Sequence, residues 1–311
     1  MFKSATVYQL TQANDAVVAA LTIGLPGKPF SECGASFQSS SGFVPPLGEN
    51  TSELTYEADG GILFCLRTDT KTVPASVVKM RATKIAKERS KNDEPVSPAE
   101  FRAIKEEVAQ DMLPLLIAVP SWTFAYLDKT LSLLIVGAGA DDADAFLPIL
   151  KGAIGGRPFK LLEPETDPCI NFTLWLQDVD KLQGRFELGH DCSLKHAKDG
   201  GTANISVRKD DLDGEEWAAM LEAGKQVCRI ALEHNAMDFA VTASVGLRRM
   251  KLSDRLRENL DDDVEPHQYR ADEFAAYVRA IRSVMRDLEE VLGGWPTQEL
   301  LDLGGTQGEA A

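Results

Sequence analysis

Apolar residues recur at every second position, or cluster with β-branched and aromatic neighbours, across residues 5–10, 61–67, 121–127, 131–136, 171–176, 185–188, 203–208, 237–243 and 247–252. A period of two puts alternate side chains on one face of a pleated backbone, so these segments are expected as strands. Helical spacing is clearest over residues 272–292. There Phe274, Val278, Ile281, Met285, Leu288 and Leu292 follow at three- and four-residue steps, and Gly293 and Gly294 close the run. A second helix is expected over residues 214–234. Two more flank a turn that holds Asn92, Asp93 and Pro95. One covers residues 75–91; the next starts at Ser97, whose hydroxyl can cap, with Pro98 in the first turn and Glu100 completing a capping box. This helical hairpin falls between strands of one sheet and is expected to project from the body.

The order of elements repeats. Asp59-Gly60-Gly61 precedes a strand ending in Arg67-Thr68-Asp69, and Asp199-Gly200-Gly201 precedes one ending in Arg208-Lys209-Asp210. After each come helical sequence, a pair of strands, and a helix that stops at a glycine pair, Gly155-Gly156 or Gly293-Gly294. The expected fold class is α+β, a pseudo-twofold body of antiparallel sheets and helices. Residues 1–73 and 119–157 would form one half, residues 74–118 the inserted hairpin and residues 158–296 the other half, with Pro158, Pro164 and Pro168 at the joint. Residues 297–311, rich in glycine and small side chains, are expected as a loose tail.

The 311 residues are 44% apolar and 26% charged, the make-up of an ordinary globular chain long enough to bury a core. The longest apolar run, around residues 112–126, is broken by Pro114 and Pro120 and is shorter than the about 20 residues that span a bilayer. The first residues hold no apolar segment followed by a cleavage site, so neither a membrane helix nor a secretory signal is expected. Cys33, Cys65, Cys169, Cys192 and Cys228 are odd in number and widely spread, which suits a reducing cytoplasm.

Candidate chemistry is sparse. Gly137-Ala138-Gly139-Ala140-Asp141-Asp142 follows a strand, but Asp142 occupies the third glycine position of a dinucleotide fingerprint and Asp141 puts charge where a pyrophosphate would approach. A tight turn with acids at a helix N-terminus is the better reading, and no cofactor is expected. His190, Cys192 and His196 could offer three zinc ligands, but a fourth ligand and a second paired motif are missing, so no metal is assigned. Asp261, Asp262 and Asp263 belong with Glu258 and Glu265 to one solvated acidic run.

Charge is unevenly spread. The formal net charge is −15, which taken alone opposes binding to a polyanion. Yet residues 79–91 hold six bases (Lys79, Arg81, Lys84, Lys87, Arg89, Lys91) against Glu88, and residues 248–257 hold five (Arg248, Arg249, Lys251, Arg255, Arg257) against Asp254. Two readings stay open: solvated helix faces balanced by nearby acids, or a basic wall that meets phosphates. With no aromatic residue interleaved in residues 79–91, the second reading implies contact with duplex backbone rather than stacking on single strands.

Several segments stand in the order found in one bacterial family. These are Gly42-Phe43-Val44-Pro45-Pro46-Leu47-Gly48, Pro74-Ala75-Ser76-Val77-Val78-Lys79 leading to Lys84-Ile85-Ala86-Lys87, Asp199-Gly200-Gly201, Glu222-Ala223-Gly224-Lys225-Gln226-Val227, and Leu247-Arg248-Arg249-Met250-Lys251 followed by Asp254. Over residues 7–294 the chain resembles the recombination-associated RdgC family. The resemblance implies a non-enzymatic, nucleoid-associated cytoplasmic protein whose horseshoe-like subunit forms a ring-shaped homodimer. That ring would enclose double-stranded DNA without sequence preference and restrain a RecA-type recombinase. It further implies backbone contacts from Lys79, Lys84, Lys87, Lys209, Arg248, Arg249 and Lys251.

One departure stands out. Leu113-Pro114-Leu115-Leu116-Ile117 lacks the arginine and the aromatic residue of the family's L-P-R-A-F-like stretch, and Glu94, Glu100, Glu106 and Glu107 thin the basic lining. Weak, salt-sensitive binding is therefore expected, about 10⁻⁴–10⁻⁶ M near physiological salt. The alternative is a protein-interaction module of the same fold that acts through its acidic surface without DNA.

Overall fold

A computed structural model describes residues 1–90, 96–196, 205–208, 221, 223–261 and 263–296. In chain order the elements are β1 (Ser4–Leu10), α1 (Asn14–Gly24), β2 (Ser39–Val44), β3 (Tyr56–Ala58), β4 (Gly61–Thr70), α2 (Ala75–Arg89), α3 (Pro98–Met112), β5 (Val119–Asp128), β6 (Leu133–Val136) and α4 (Ala140–Ile154). They continue with β7 (Phe159–Leu161), α5 (Pro168–Gln177), β8 (Glu187–His196), β9 (Ile205–Arg208), β10 (Lys225–Glu233), β11 (Met237–Thr242), β12 (Leu247–Leu252), α6 (Asp254–Arg257) and α7 (Pro266–Leu292). The chain is α+β, with large antiparallel pairing as the sequence implies. None of the described helices is long and apolar enough to cross a membrane.

The chain divides into two compact units. The larger comprises Met1–Gly27, Pro45–Cys65 and Phe124–Ala311; the smaller comprises Lys28–Val44 and Leu66–Thr123, and β4 and β5 each run from one into the other.

In the larger unit β1 lies between β6 and β12, with Thr6 opposite Val136 and Ser4 opposite Arg248, and from β12 the order continues β11, β10, β8, β9. These pairings are antiparallel. α7 contributes Phe274, Val278, Ile281, Met285 and Leu288 to the core, each buried to 1% exposure or less. Burial of each such side chain is worth about 1.5–3 kcal/mol. The ring of Phe274 meets Tyr126 edge-on at 5.6 Å. Both α4 and α7 end on a left-handed glycine, Gly155 (φ 74°) and Gly293 (φ 86°), where a side chain would be strained.

The smaller unit is built on β2, β4 and β5 in that order together with α2 and α3. Val78, Ala82 and Ala86, one turn apart on α2, pack on Ile104, Val108 and Met112 of α3. Ser97 caps α3 by accepting a hydrogen bond from the Glu100 amide at 3.2 Å, and Pro98 fills the first position. Gly42 has no room for a side chain: a Cβ would lie 2.3 Å from the Phe30 Cα.

Two expected elements are corrected. Residues 171–176 are helical in α5, not extended, because Asp167 caps the Cys169 amide, Pro168 starts the helix, and Phe172 and Trp175 bury at a three-residue step. Residues 225–233, expected at the end of a helix, form β10; a register shift between Val227 and Arg229 inserts a residue, so the buried Val227 and Ile230 mimic helical spacing. Residues 214–220 of that expected helix, the Asp199-Gly200-Gly201 turn and residues 297–311 lie outside the described residues. β8 runs on to His196, well past the expected residues 185–188, and the segments α1, β2 and β3 were not anticipated.

Candidate nucleic-acid interface

The cations of α2 follow from its sequence. Val78, Ala82 and Ala86 are committed to α3, with Val77 and Ile85 packed partly against the same cluster, and Lys79, Arg81, Lys84 and Lys87 are exposed on the rest of the helix. Among the described residues none of these four is in an ion pair; Arg89 alone on this helix is, with Glu107 at 3.0 Å. At 1.5 Å per residue, Lys79 to Lys87 spans about 12 Å. That is about three to four phosphates along one strand at 3.4 Å each.

β12 presents a different picture. Arg248 is half-buried and its Nη1 donates to the carbonyls of Ala5 and Leu247, both at 3.1 Å, tying β12 to β1; burial lowers its pKa, only partly opposed by Asp141. Arg249 sits at a bulge with φ 52° and is ion-paired with Asp191, which also receives Arg229 at 3.3 Å. Lys251 lies 3.8 Å from Asp254, which Arg257 approaches at 3.1 Å. Among the described residues Lys79, Arg81, Lys84 and Lys87 are thus without acidic partners, whereas the cations of β12 are matched to carboxylates or to backbone. Of the residues that the sequence singles out, Lys79, Lys84 and Lys87 come together on α2 in the smaller unit, Arg248, Arg249 and Lys251 on β12 in the larger, and Lys209 lies outside the described residues.

The remaining candidates resolve in simple terms. β6 is antiparallel between β5 and β1, so Gly137-Ala138-Gly139 does not sit in a parallel βαβ unit; Gly139 caps α4, with Asp141 and Asp142 in its first turn. His190 is exposed while Cys192 is wholly buried, its thiol pushed up to about 12 chiefly by desolvation, so the thiol is not offered to solvent beside the imidazole. Among the described residues no group of three or more His, Cys, Asp or Glu could hold a metal ion.

A feature that sequence reasoning missed is an exposed apolar strip on the smaller unit. Leu115 (74% exposed), Ile117 (88%), Val119 (64%) and Trp122 (53%) run from the end of α3 into β5. Trp122 and Phe30 hold the Arg67 guanidinium at 5.8 and 4.2 Å from their ring centroids, and Asp69 fixes it at 2.8 Å. The signal was visible as the apolar stretch Leu113-Pro114-Leu115-Leu116-Ile117, which registers as lost family residues rather than as a surface.

Comparison with known proteins gives one coherent result. The family model described as "Putative exonuclease, RdgC" matches residues 1–295. A curated relative named "Recombination-associated protein RdgC" from Halorhodospira halophila is 33% identical over 270 residues, covering 85% of this chain and 88% of the relative. Relatives of the same name from Tolumonas auensis and Aeromonas hydrophila are 30% and 31% identical over 298 residues, each alignment covering 94% of this chain and 98% of the relative.

Proposed function

The chain belongs to the RdgC family, and from that premise we propose that it binds double-stranded DNA through backbone phosphates, without sequence preference, as a homodimer that encloses the duplex and restrains a RecA-type recombinase. The observation that carries the DNA part is the exposed set Lys79, Arg81, Lys84 and Lys87, unpaired among the described residues, on one helix of a chain with net charge −15. Uncompensated cations attract phosphates and release counterions on contact, and an anionic remainder limits where a polyanion can settle. Arg248, Arg249, Lys209 and Lys251 are proposed as further backbone contacts. In that role Arg249 and Lys251 would have to share their carboxylate partners with phosphate. The exposure of Leu115, Ile117, Val119 and Trp122 within eight residues of chain supports self-association, since large apolar side chains left in water favour a covering partner.

The test of the residues is charge reversal. Lys84→Glu with Lys87→Glu is expected to weaken random, AT-rich and GC-rich duplexes alike, by about tenfold or more at low salt, as measured by fluorescence anisotropy. Unchanged affinity would remove α2 from the interface.

A second reading, nuclease activity, comes from the family description alone. We favour binding without hydrolysis, in keeping with the names of the curated relatives. Incubation of end-labelled duplex with the protein and Mg²⁺ distinguishes the two: intact duplex is expected, and release of nucleotides in proportion to enzyme would establish the exonuclease.

A further inference from the structure

One face of the α2–α3 hairpin is a groove rather than a packed surface. It consists of two hollows, of about 730 and about 380 Å³, that share Phe101 as a dividing wall. On α2 the lining residues follow a single helical stripe, with Ala75, Val78 and Lys79 in the smaller hollow and Thr83, Ala86 and Lys87 in the larger. On α3 the stripe continues through Pro98, Phe101, Lys105 and Ala109. Both hollows therefore open on the same side of the hairpin, end to end along the helices.

The charge of this groove is one-sided. Its walls are mainly apolar, and among the described residues the charged ones that line it are lysines: Lys79, Lys87 and Lys105. The Lys105 ammonium rests 5.3 Å from the centre of the Phe101 ring. Among the described residues no acid of the hairpin lines it. Glu107 and Arg89, which pair with each other, stand two residues on from Lys105 and Lys87, about 200° around their helices. A nucleic-acid backbone has no apolar body with which to fill hollows of this size. An amphipathic helix does, seating side chains at i, i+3, i+4 and i+7 in the hollows while its acids meet the rim.

We infer that this groove docks an acidic amphipathic peptide segment of a partner protein. Lys79 and Lys87 also belong to the face proposed for DNA, so peptide and duplex exclude one another; this second half rests on that reading.

The test uses the full chain and a fluorescein-labelled peptide of about 16 residues with leucine at i, i+3, i+4 and i+7 and glutamate elsewhere. Saturable binding is expected, weakened about tenfold or more by Lys105→Glu and by replacing the peptide's glutamates with glutamines. Absence of saturable binding, or equal binding by Lys105→Glu, would overturn the docking site. Equal binding of the glutamine peptide would make the groove merely apolar, and release of monomer from a dimer as peptide binds would assign it to a second copy of this chain; either outcome overturns the acidic partner. Unlabelled duplex is expected to displace the peptide. Failure to displace it, in a protein that binds duplex, ends the exclusion, whereas a protein that binds peptide but no duplex refutes the DNA reading and leaves the docking site standing.

Discussion

At the scale of single residues, the strongest internal constraint is the buried carboxylate of Asp128. Its Oδ1 accepts from the amides of Thr130 (2.8 Å) and Leu131 (3.0 Å), and its Oδ2 from Arg282 Nε at 2.9 Å, so every demand of a desolvated charge is met. Asp128→Ala leaves the Arg282 guanidinium, only 15% exposed, without that carboxylate and with the Asp59 carbonyl as its acceptor at 2.8 Å, and is expected to cost about 3–5 kcal/mol in urea unfolding. A loss below about 1 kcal/mol would show that solvent reaches the site. Burial also governs the pH limit. Desolvation raises Cys65 and Cys192 to about 12 from an ordinary value of 9.0, and Tyr8 and Tyr277 to about 12 from 10.0. These folded values exceed the unfolded ones, so the stabilisation is complete below the unfolded values and disappears as pH rises through the folded ones. The urea midpoint is expected to hold level up to about pH 8.5 and fall steadily above about pH 9. A midpoint that rises over that range would contradict the burial of these groups.

At the scale of elements, the hairpin shows what local sequence can specify. Ser97, Pro98 and Glu100 write the start of α3 in neighbouring residues, and the cap forms as its chemistry requires. Ser97→Ala is expected to cost about 1 kcal/mol. Faster amide hydrogen exchange in the first turn of α3, with that of α7 unchanged, is the corresponding readout; uniform acceleration would mean that the hairpin does not open on its own. α7 was legible for a similar reason, since its apolar stripe and terminal glycines are local signals. β10 was not, because the extra residue near Val227 is permitted by its pairing with β8, a partner about thirty positions away along the chain. α5 was misread because Phe172, Leu174 and Leu176 alternate perfectly; its helix is decided by the Asp167 cap and by burial of Phe172 beside Trp175, whose rings lie 5.2 Å apart. The basic face of α2 could be read from spacing alone. Two things could not: that among the described residues its lysines lack acidic partners, whereas β12 folds Arg249 against Asp191, and that a groove opens beside them.

At the scale of the whole molecule, two properties should appear together, self-association and attraction to polyanions. Sedimentation or light scattering is expected to give a dimer, and Ile117→Asp with Trp122→Asp to shift it towards monomer without loss of secondary structure. A wild-type monomer at micromolar concentration would leave the apolar strip without its proposed occupant. The DNA account rests on cations that face solvent, unpaired among the described residues, and counterion release makes that countable. The slope of log affinity against log salt for random-sequence duplex measures it most directly, at about 0.9 per neutralised phosphate. The four exposed cations Lys79, Arg81, Lys84 and Lys87 on α2 predict a slope of about −3 to −4 or steeper, reduced by about 2 in the Lys84→Glu, Lys87→Glu variant. No binding at low salt, or an affinity indifferent to salt, would contradict the account.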